Sequence, residues 1–158
     1  MLQAVLTGRD VKMDEERGER MGATYRHSIR IPFYDVDSMR IVWHGHYAKY
    51  FEEARCAFFE QLGMTYDEMK AAGFLIPVVG LSIKYVRPCV FGQTIWIDVT
   101  ADETNDNLLV LSYLVRDAAT SERLCKGSTR HAAVDRETRE LLFELPAEFL
   151  RRMRGGKA

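Results

Sequence analysis

Tyr47-Ala48-Lys49-Tyr50-Phe51-Glu52-Glu53-Ala54-Arg55-Cys56-Ala57-Phe58-Phe59-Glu60-Gln61-Leu62-Gly63 is the stretch on which the reading of the fold turns. Tyr50, Phe51, Ala54, Phe58 and Leu62 fall 3, 4, 7, 11 and 15 positions after Tyr47, with Lys49, Glu53 and Glu60 between them. That spacing places the apolar side chains on one side of a helix of roughly four turns. Gly63 stands where the chain needs a left-handed residue to stop it.

Downstream, Thr65 and Glu68 form a capping box, in which the Thr hydroxyl and the Glu carboxylate satisfy each other's backbone donors, and Gly73 closes a short second helix. From Leu75 the period changes to two. Leu81, Ile83 and Tyr85 alternate with Ser82, Lys84 and Val86, and Ile95, Ile97 and Val99 alternate with Trp96, Asp98 and Thr100. Asn105, Asp106 and Asn107 supply turn chemistry before Leu108–Val115, which predicts a hairpin. A further strand is expected from about Arg123 to Val134, after a turn at Asp117–Ser121, and Pro146 opens a last helix carrying Phe149 and Leu150.

Upstream, Thr24–Ile31 reads as a first strand ending at Pro32. Residues 1–23 crowd Asp10, Lys12, Asp14, Glu15, Glu16, Arg17, Glu19 and Arg20 with little apolar periodicity, and are expected to form a tail outside a single domain spanning 24–158. Met21 follows directly, which leaves two readings of the tail open, an extraneous extension and a charged helix. The order is strand, long helix, short helix, then three or four consecutive antiparallel strands, without the β/α alternation of a parallel sheet. The class is therefore α+β, with one antiparallel sheet curled around the long helix.

Composition narrows the function. The 158 residues are room for one domain, and 22 Lys and Arg against 23 Asp and Glu give a net charge of −1, which argues against a nucleic-acid binder. No apolar run approaches the ~20 residues of a membrane helix, and the N-terminus lacks a secretory pattern, so a cytoplasmic setting is expected. Cys56, Cys89 and Cys125 form no C-x-x-C pair and are expected to be buried thiols.

The chemistry concentrates in Phe33-Tyr34-Asp35-Val36-Asp37-Ser38-Met39-Arg40-Ile41-Val42-Trp43-His44-Gly45-His46-Tyr47, between the first strand and the long helix. A helix start offers unused N–H donors to a developing oxyanion, and a carboxylate just upstream serves as general base or nucleophile. The same residues are equally at home in turn hydrogen bonds and helix capping.

The run Tyr34–Arg55 resembles the active-site segment of hotdog-fold acyl-CoA thioesterases of the 4-hydroxybenzoyl-CoA thioesterase and YbgC type. Their pattern is roughly aromatic-x-D-x-D-x-x-G-x-V-[YW]-[HY]-x-x-Y followed by a helix with E-x-A-R. The resemblance extends from about Thr24 to about Leu150. It implies a hotdog fold, thioester hydrolysis with coenzyme A as part of the substrate and no separate cofactor or metal, and a homodimer or homotetramer. It puts the catalytic carboxylate on Asp37 and, at the oxyanion-binding helix start, His44, whose side chain would position water or the acid. Arg40, Trp43, Gly45, His46, Tyr47 and Lys84 are the expected substrate-side residues.

Three departures stand out. Arg40 replaces the family's glycine, so it is expected to pair with Asp35 or Asp37, to face an acid or phosphate of the substrate, or to be an ordinary surface arginine. Phe33 stands where some YbgC relatives have Tyr. The turn that carries basic residues toward the coenzyme A phosphates in the benzoyl branch reads Asp102-Glu103-Thr104-Asn105-Asp106, leaving Lys84, Arg87, Lys126, Arg130 or the C-terminal arginines as substitutes. His44-x-His46 lacks further ligands for zinc, and Glu52 is expected to pair with Arg55. The main alternative is a non-catalytic hotdog protein binding an acyl thioester or acyl carrier; a dehydratase-like use of the fold lacks its His motif. The acyl group, aryl or short, medium or long chain, is not legible, because pocket length depends on side chains from two chains.

Overall fold

The computed structural model describes residues 20–102 and 107–155. Along the chain run β1 (Arg20–Arg30), α1 (His46–Gln61), α2 (Tyr66–Ala71), β2 (Phe74–Leu75), β3 (Val78–Tyr85), β4 (Thr94–Asp102), β5 (Leu108–Asp117), β6 (Arg123–Ala132), β7 (Val134–Asp135) and α3 (Ala147–Met153). The long helix lies one residue from its predicted span, and Gly63 ends it at φ +61°. The Thr65–Glu68 capping box is present in full at the start of α2.

Five strands form one antiparallel sheet in the order β1-β4-β5-β6-β3. Period two sorts its faces. Ile95, Ile97 and Val99 of β4 and Leu109, Leu111, Tyr113 and Val115 of β5 are buried with Tyr47, Tyr50, Phe51, Ala54, Phe58 and Phe59 of α1 in one core. Phe51 stacks on Tyr113 at 4.4 Å, and a Cβ at Gly127 of β6 would collide with the Phe51 ring, so this glycine lets helix and sheet approach. Phe149 and Met153 bring α3 onto the same core, Phe149 lying against Phe59 and Phe74. This is the α+β hotdog arrangement, a sheet built on one central helix.

Several expectations need correction. The first strand begins at Arg20 rather than Thr24, paired with Asp102, and Gly22 at φ +105° sits in the register shift between Arg20 and Thr24. The folded part thus reaches into the span assigned to the tail, and the remainder of that reading, residues 1–19, lies outside the described residues. The four long strands follow one another in sequence but not in space: β3 lies beyond β6 at the far edge, whereas β4 pairs with β1. The hairpin of β4 and β5 is present, with Asp102 opposite Val110, although 103–106 of its turn fall outside the described residues. The last long strand stops at Ala132, and Val134–Asp135 leave it to pair with Phe74–Leu75. Cys89 and Cys125 are buried, but Cys56 is exposed. Among the described residues no helix is long and apolar enough to cross a membrane.

Candidate active site

The loop between β1 and α1 is a small hairpin. Val36 and Val42 bridge in antiparallel fashion, the Asp37 N–H donates to the Ile41 carbonyl at 2.9 Å, and the Arg40 N–H donates back to the Asp37 carbonyl at 2.9 Å. Such a turn requires its last residue in the left-handed region, where glycine is the least strained; Arg40 adopts it at φ +63°. The Asp37 carboxylate accepts the Met39 N–H through Oδ1 at 2.8 Å. Its Oδ2 has no hydrogen-bond partner among the described residues, and the side chain is half-buried. Arg40 is exposed, and among the described residues its guanidinium pairs with neither Asp35 nor Asp37.

The same device occurs twice more. At Asp117 and Asp135 a backbone carbonyl accepts from a left-handed residue, Ser121 at φ +62° and Arg139 at φ +63°. There Oδ1 accepts two N–H groups, from Ala119 and Thr120 and from Glu137 and Thr138. Both carboxyls are held below their ordinary value, Asp117 chiefly by a hydrogen bond from Gln93 and Asp135 by its backbone donors.

Asp35 is unlike Asp37. It is 2% exposed, and Lys49 Nζ lies 2.6 and 2.7 Å from its two oxygens, the Tyr50 hydroxyl donates to Oδ2 at 2.7 Å, and His46 Nε2 lies 3.7 Å from Oδ1. Burial pushes its carboxyl up, the hydrogen bonds from Lys49 and Tyr50 and the nearby charges push it down, and the balance lies below the ordinary value. Burial and the Asp35 charge raise the Tyr50 phenol, which stays a donor. The Asp35 side chain therefore makes no turn hydrogen bond; it joins the loop to the first turns of α1.

At the start of α1 the His46 N–H donates to the Trp43 carbonyl at 2.9 Å, the Trp43 N–H to the Asp35 carbonyl at 3.0 Å, and the Tyr85 hydroxyl to the His44 carbonyl at 2.6 Å. Among the described residues the His44 and Gly45 N–H groups have no acceptor. Gly45 caps the helix with no side chain of its own, and a Cβ there would collide with the Trp43 indole, which lies against both His44 and His46 with ring centroids 4.8 and 5.3 Å away. The loop thus presents a free carboxylate oxygen at Asp37 and, seven and eight residues on, the unused N–H groups of His44 and Gly45, the parts needed to attack a carbonyl and hold its oxyanion.

The expected substrate-side residues divide. Arg40, Trp43, Gly45 and His46 share this loop and helix start. Tyr47 is buried, its hydroxyl accepting the Cys89 N–H at 3.4 Å. Lys84 is opposite Lys126, on the face of the sheet away from Tyr85 and the helix, and is not brought to the loop. Glu52 pairs with the buried Arg55 at 3.1 Å. Burial raises the Cys89 thiol and pushes Cys125 up to about 12, so neither is a thiolate near neutrality. Sequence reasoning did not assign Lys49, Tyr50 or Tyr85 to the site. The signals were present for two of them: Tyr50 on the apolar side of the helix, one turn from its start, and Tyr85 on the inward alternation of β3.

The Thioesterase-like superfamily model matches residues 31–153, and the chain belongs to that superfamily. A Bacillus subtilis protein named "Putative acyl-CoA thioesterase YneP" is 31% identical over 110 residues, covering 70% of this chain and 79% of its own. Among solved structures, a Thermus thermophilus protein described as hypothetical superposes with a TM-score of 0.72 at 28% identity, covering 81% of this chain and 95% of that one. A 1,4-dihydroxy-2-naphthoyl-CoA thioesterase from Synechocystis superposes with a TM-score of 0.75 at 17% identity over 82% of this chain and 95% of that one, a likeness of fold.

Proposed function

We propose that this protein hydrolyses acyl-CoA thioesters, with Asp37 as the carboxylate that acts on the thioester carbonyl. The observation that carries the reading is the unpartnered Oδ2 of Asp37 on a turn that runs straight into a helix start with two unused N–H donors. Asp37 either attacks the carbonyl carbon or takes a proton from an attacking water, the carbonyl oxygen gains negative charge against the His44 and Gly45 N–H groups, and the C–S bond breaks as the thiolate leaves; where Asp37 itself attacks, water then cleaves the acyl–Asp37 anhydride to give the free acid and restore the carboxylate. The His44 ring is exposed beside Trp43, and in this reading it orients the attacking water. Arg40 at this mouth offers its guanidinium to an anionic part of the thioester, since the fold uses it in no ion pair among the described residues. Three cysteines that are all free thiols fit a reducing, cytoplasmic compartment.

The active form is an oligomer of this chain. β3 is a sheet edge on which Val78, Val79, Leu81 and Tyr85 are about half exposed, although Leu81 and Tyr85 point to the helix side of the sheet. An apolar edge of this kind is normally covered, and a second copy is the simplest cover. Light scattering at micromolar concentration is expected to give at least a dimer; a monomer contradicts it.

The test is a hydrolysis screen of aryl, short-, medium- and long-chain acyl thioesters on coenzyme A and on carrier protein. At least one substrate is expected to reach kcat/KM of about 10⁴ M⁻¹s⁻¹. Binding of thioesters without turnover of any of them gives the non-catalytic reading instead.

A further inference from the structure

We propose that Tyr85 is a positioning residue: its hydroxyl pins the peptide between His44 and Gly45 and so aims the Gly45 N–H at the reacting carbonyl. The inference rests on the thioesterase reading above and adds the element that orients its oxyanion donors.

A trans peptide is planar, so the C=O and N–H of one unit point in opposite directions, and fixing the first aims the second. Two successive units carry the unused donors. In the Trp43–His44 unit the carbonyl accepts the His46 N–H at 2.9 Å, so the His44 N–H is turned outward by the first turn of α1 itself. In the His44–Gly45 unit the carbonyl accepts the Tyr85 hydroxyl at 2.6 Å, so the direction of the Gly45 N–H depends on a side chain from β3.

That second unit needs a pin. Glycine at 45 leaves room for the Trp43 indole where it now lies, and it leaves the flanking peptide free to rotate at little cost. No side chain caps this helix end. The Tyr85 ring is itself held, edge-on against the buried Tyr47 with centroids 5.0 Å apart, and Tyr47 is tied to the Cys89 N–H. Donation into the His44 carbonyl also polarises the peptide and makes its N–H a stronger donor. Tyr85 touches no reacting atom; it acts through the backbone.

Tyr85→Phe keeps the ring and removes only the hydroxyl. Outright loss of an oxyanion donor costs about 10²- to 10³-fold in kcat; here the donor stays and loses its aim, so kcat is expected to fall about tenfold while KM and melting temperature hold. In the same variant the carbonyl ¹³C resonance of His44 is expected to move upfield as its hydrogen bond is lost. Wild-type kcat in Tyr85→Phe, in a protein where Asp37→Asn is inactive, overturns the role of Tyr85 and leaves the thioesterase reading standing. A fall in melting temperature that matches the fall in rate overturns positioning in favour of mere support of the fold. An unchanged His44 carbonyl resonance overturns the pin whatever the turnover. A wild type that hydrolyses no thioester overturns both readings together.

Discussion

Asp37, Asp117 and Asp135 sit in turns built alike, each with a carboxylate oxygen accepting backbone N–H groups and a left-handed residue three or four positions on. Two of the turns close strands on the surface. The third closes onto the start of α1. In the first two the Oδ1 atom takes two donors, whereas Asp37 Oδ1 takes one; among the described residues the second oxygen has a partner only at Asp117, where Gln93 donates to Oδ2, and is open at both Asp37 and Asp135. An aspartate in such a turn, even one with an open oxygen, is thus no sign of catalysis; what distinguishes Asp37 is that its turn leads into the start of α1, where the His44 and Gly45 N–H groups are unused.

Asparagine at each position breaks the comparison most sharply. It keeps the turn-forming acceptor but removes charge and basicity, so Asp37→Asn is expected to lower kcat by roughly 10²- to 10⁴-fold. Asp117→Asn and Asp135→Asn are expected to leave kcat near wild type, as steady-state assays on the same substrate will show. Equal losses at all three positions would mean that the turns serve only the fold.

The next largest effect concerns a buried base away from the loop. His131 is fully buried between Thr129 at 2.8 Å and the Ile76 carbonyl at 3.1 Å, and burial lowers its pKa from 6.5 to about 4. The unfolded chain binds the extra proton in that window, so the stabilisation is complete above about pH 6.5 and is lost as pH falls toward 4. The shift corresponds to roughly 3 kcal/mol. Denaturant titrations at pH 7 and pH 4.5 are expected to show this decline, and His131→Gln is expected to flatten it.

Asp35→Asn sharpens the contrast between neighbouring carboxylates. It leaves Lys49 without its partner and is expected to destabilise the fold by about 2 kcal/mol, under the 3–5 kcal/mol of a fully buried pair because Lys49 is half exposed. Chemical denaturation will measure it, with a kcat loss far smaller than at Asp37.

The smallest effects come from paired glycine substitutions. Arg40 and Arg139 share φ +63°, so Arg40→Gly and Arg139→Gly are each expected to stabilise by about 1 kcal/mol. Only Arg40→Gly is expected to raise KM with kcat unchanged, the mark of lost uniform binding.

The elements were legible where the signal is local. The Tyr47–Leu62 periodicity, the Thr65–Glu68 box and the alternation through Ile95, Ile97 and Val99 depend on a few adjacent residues, and each places its element within one or two positions. Strand order was not legible, because period two tells which face a residue takes and not which strand lies beside it; β3 beyond β6 is a non-local choice. The burial of Asp35 was not legible for a related reason. Asp35 follows the exposed Phe33 and Tyr34, an inversion of the usual pattern in which the acid goes in and the aromatics stay out, and its burial depends on Lys49 and Tyr50, 14 and 15 residues away. Tyr85 read as an inward strand residue, but only the packing of β3 against the helix start brings its hydroxyl to a carbonyl 41 residues away in sequence.

The central claim is that the Asp37 carboxylate carries thioester hydrolysis at the start of α1. Its most direct test is a single-turnover experiment with Asp37→Asn in excess over a thioester that the wild type hydrolyses, quenched at intervals, with binding confirmed by calorimetry on the same preparation. Substrate is expected to remain bound and intact, with free acid forming at under about 1% of the wild-type rate. Hydrolysis of the bound thioester at the wild-type rate would contradict it.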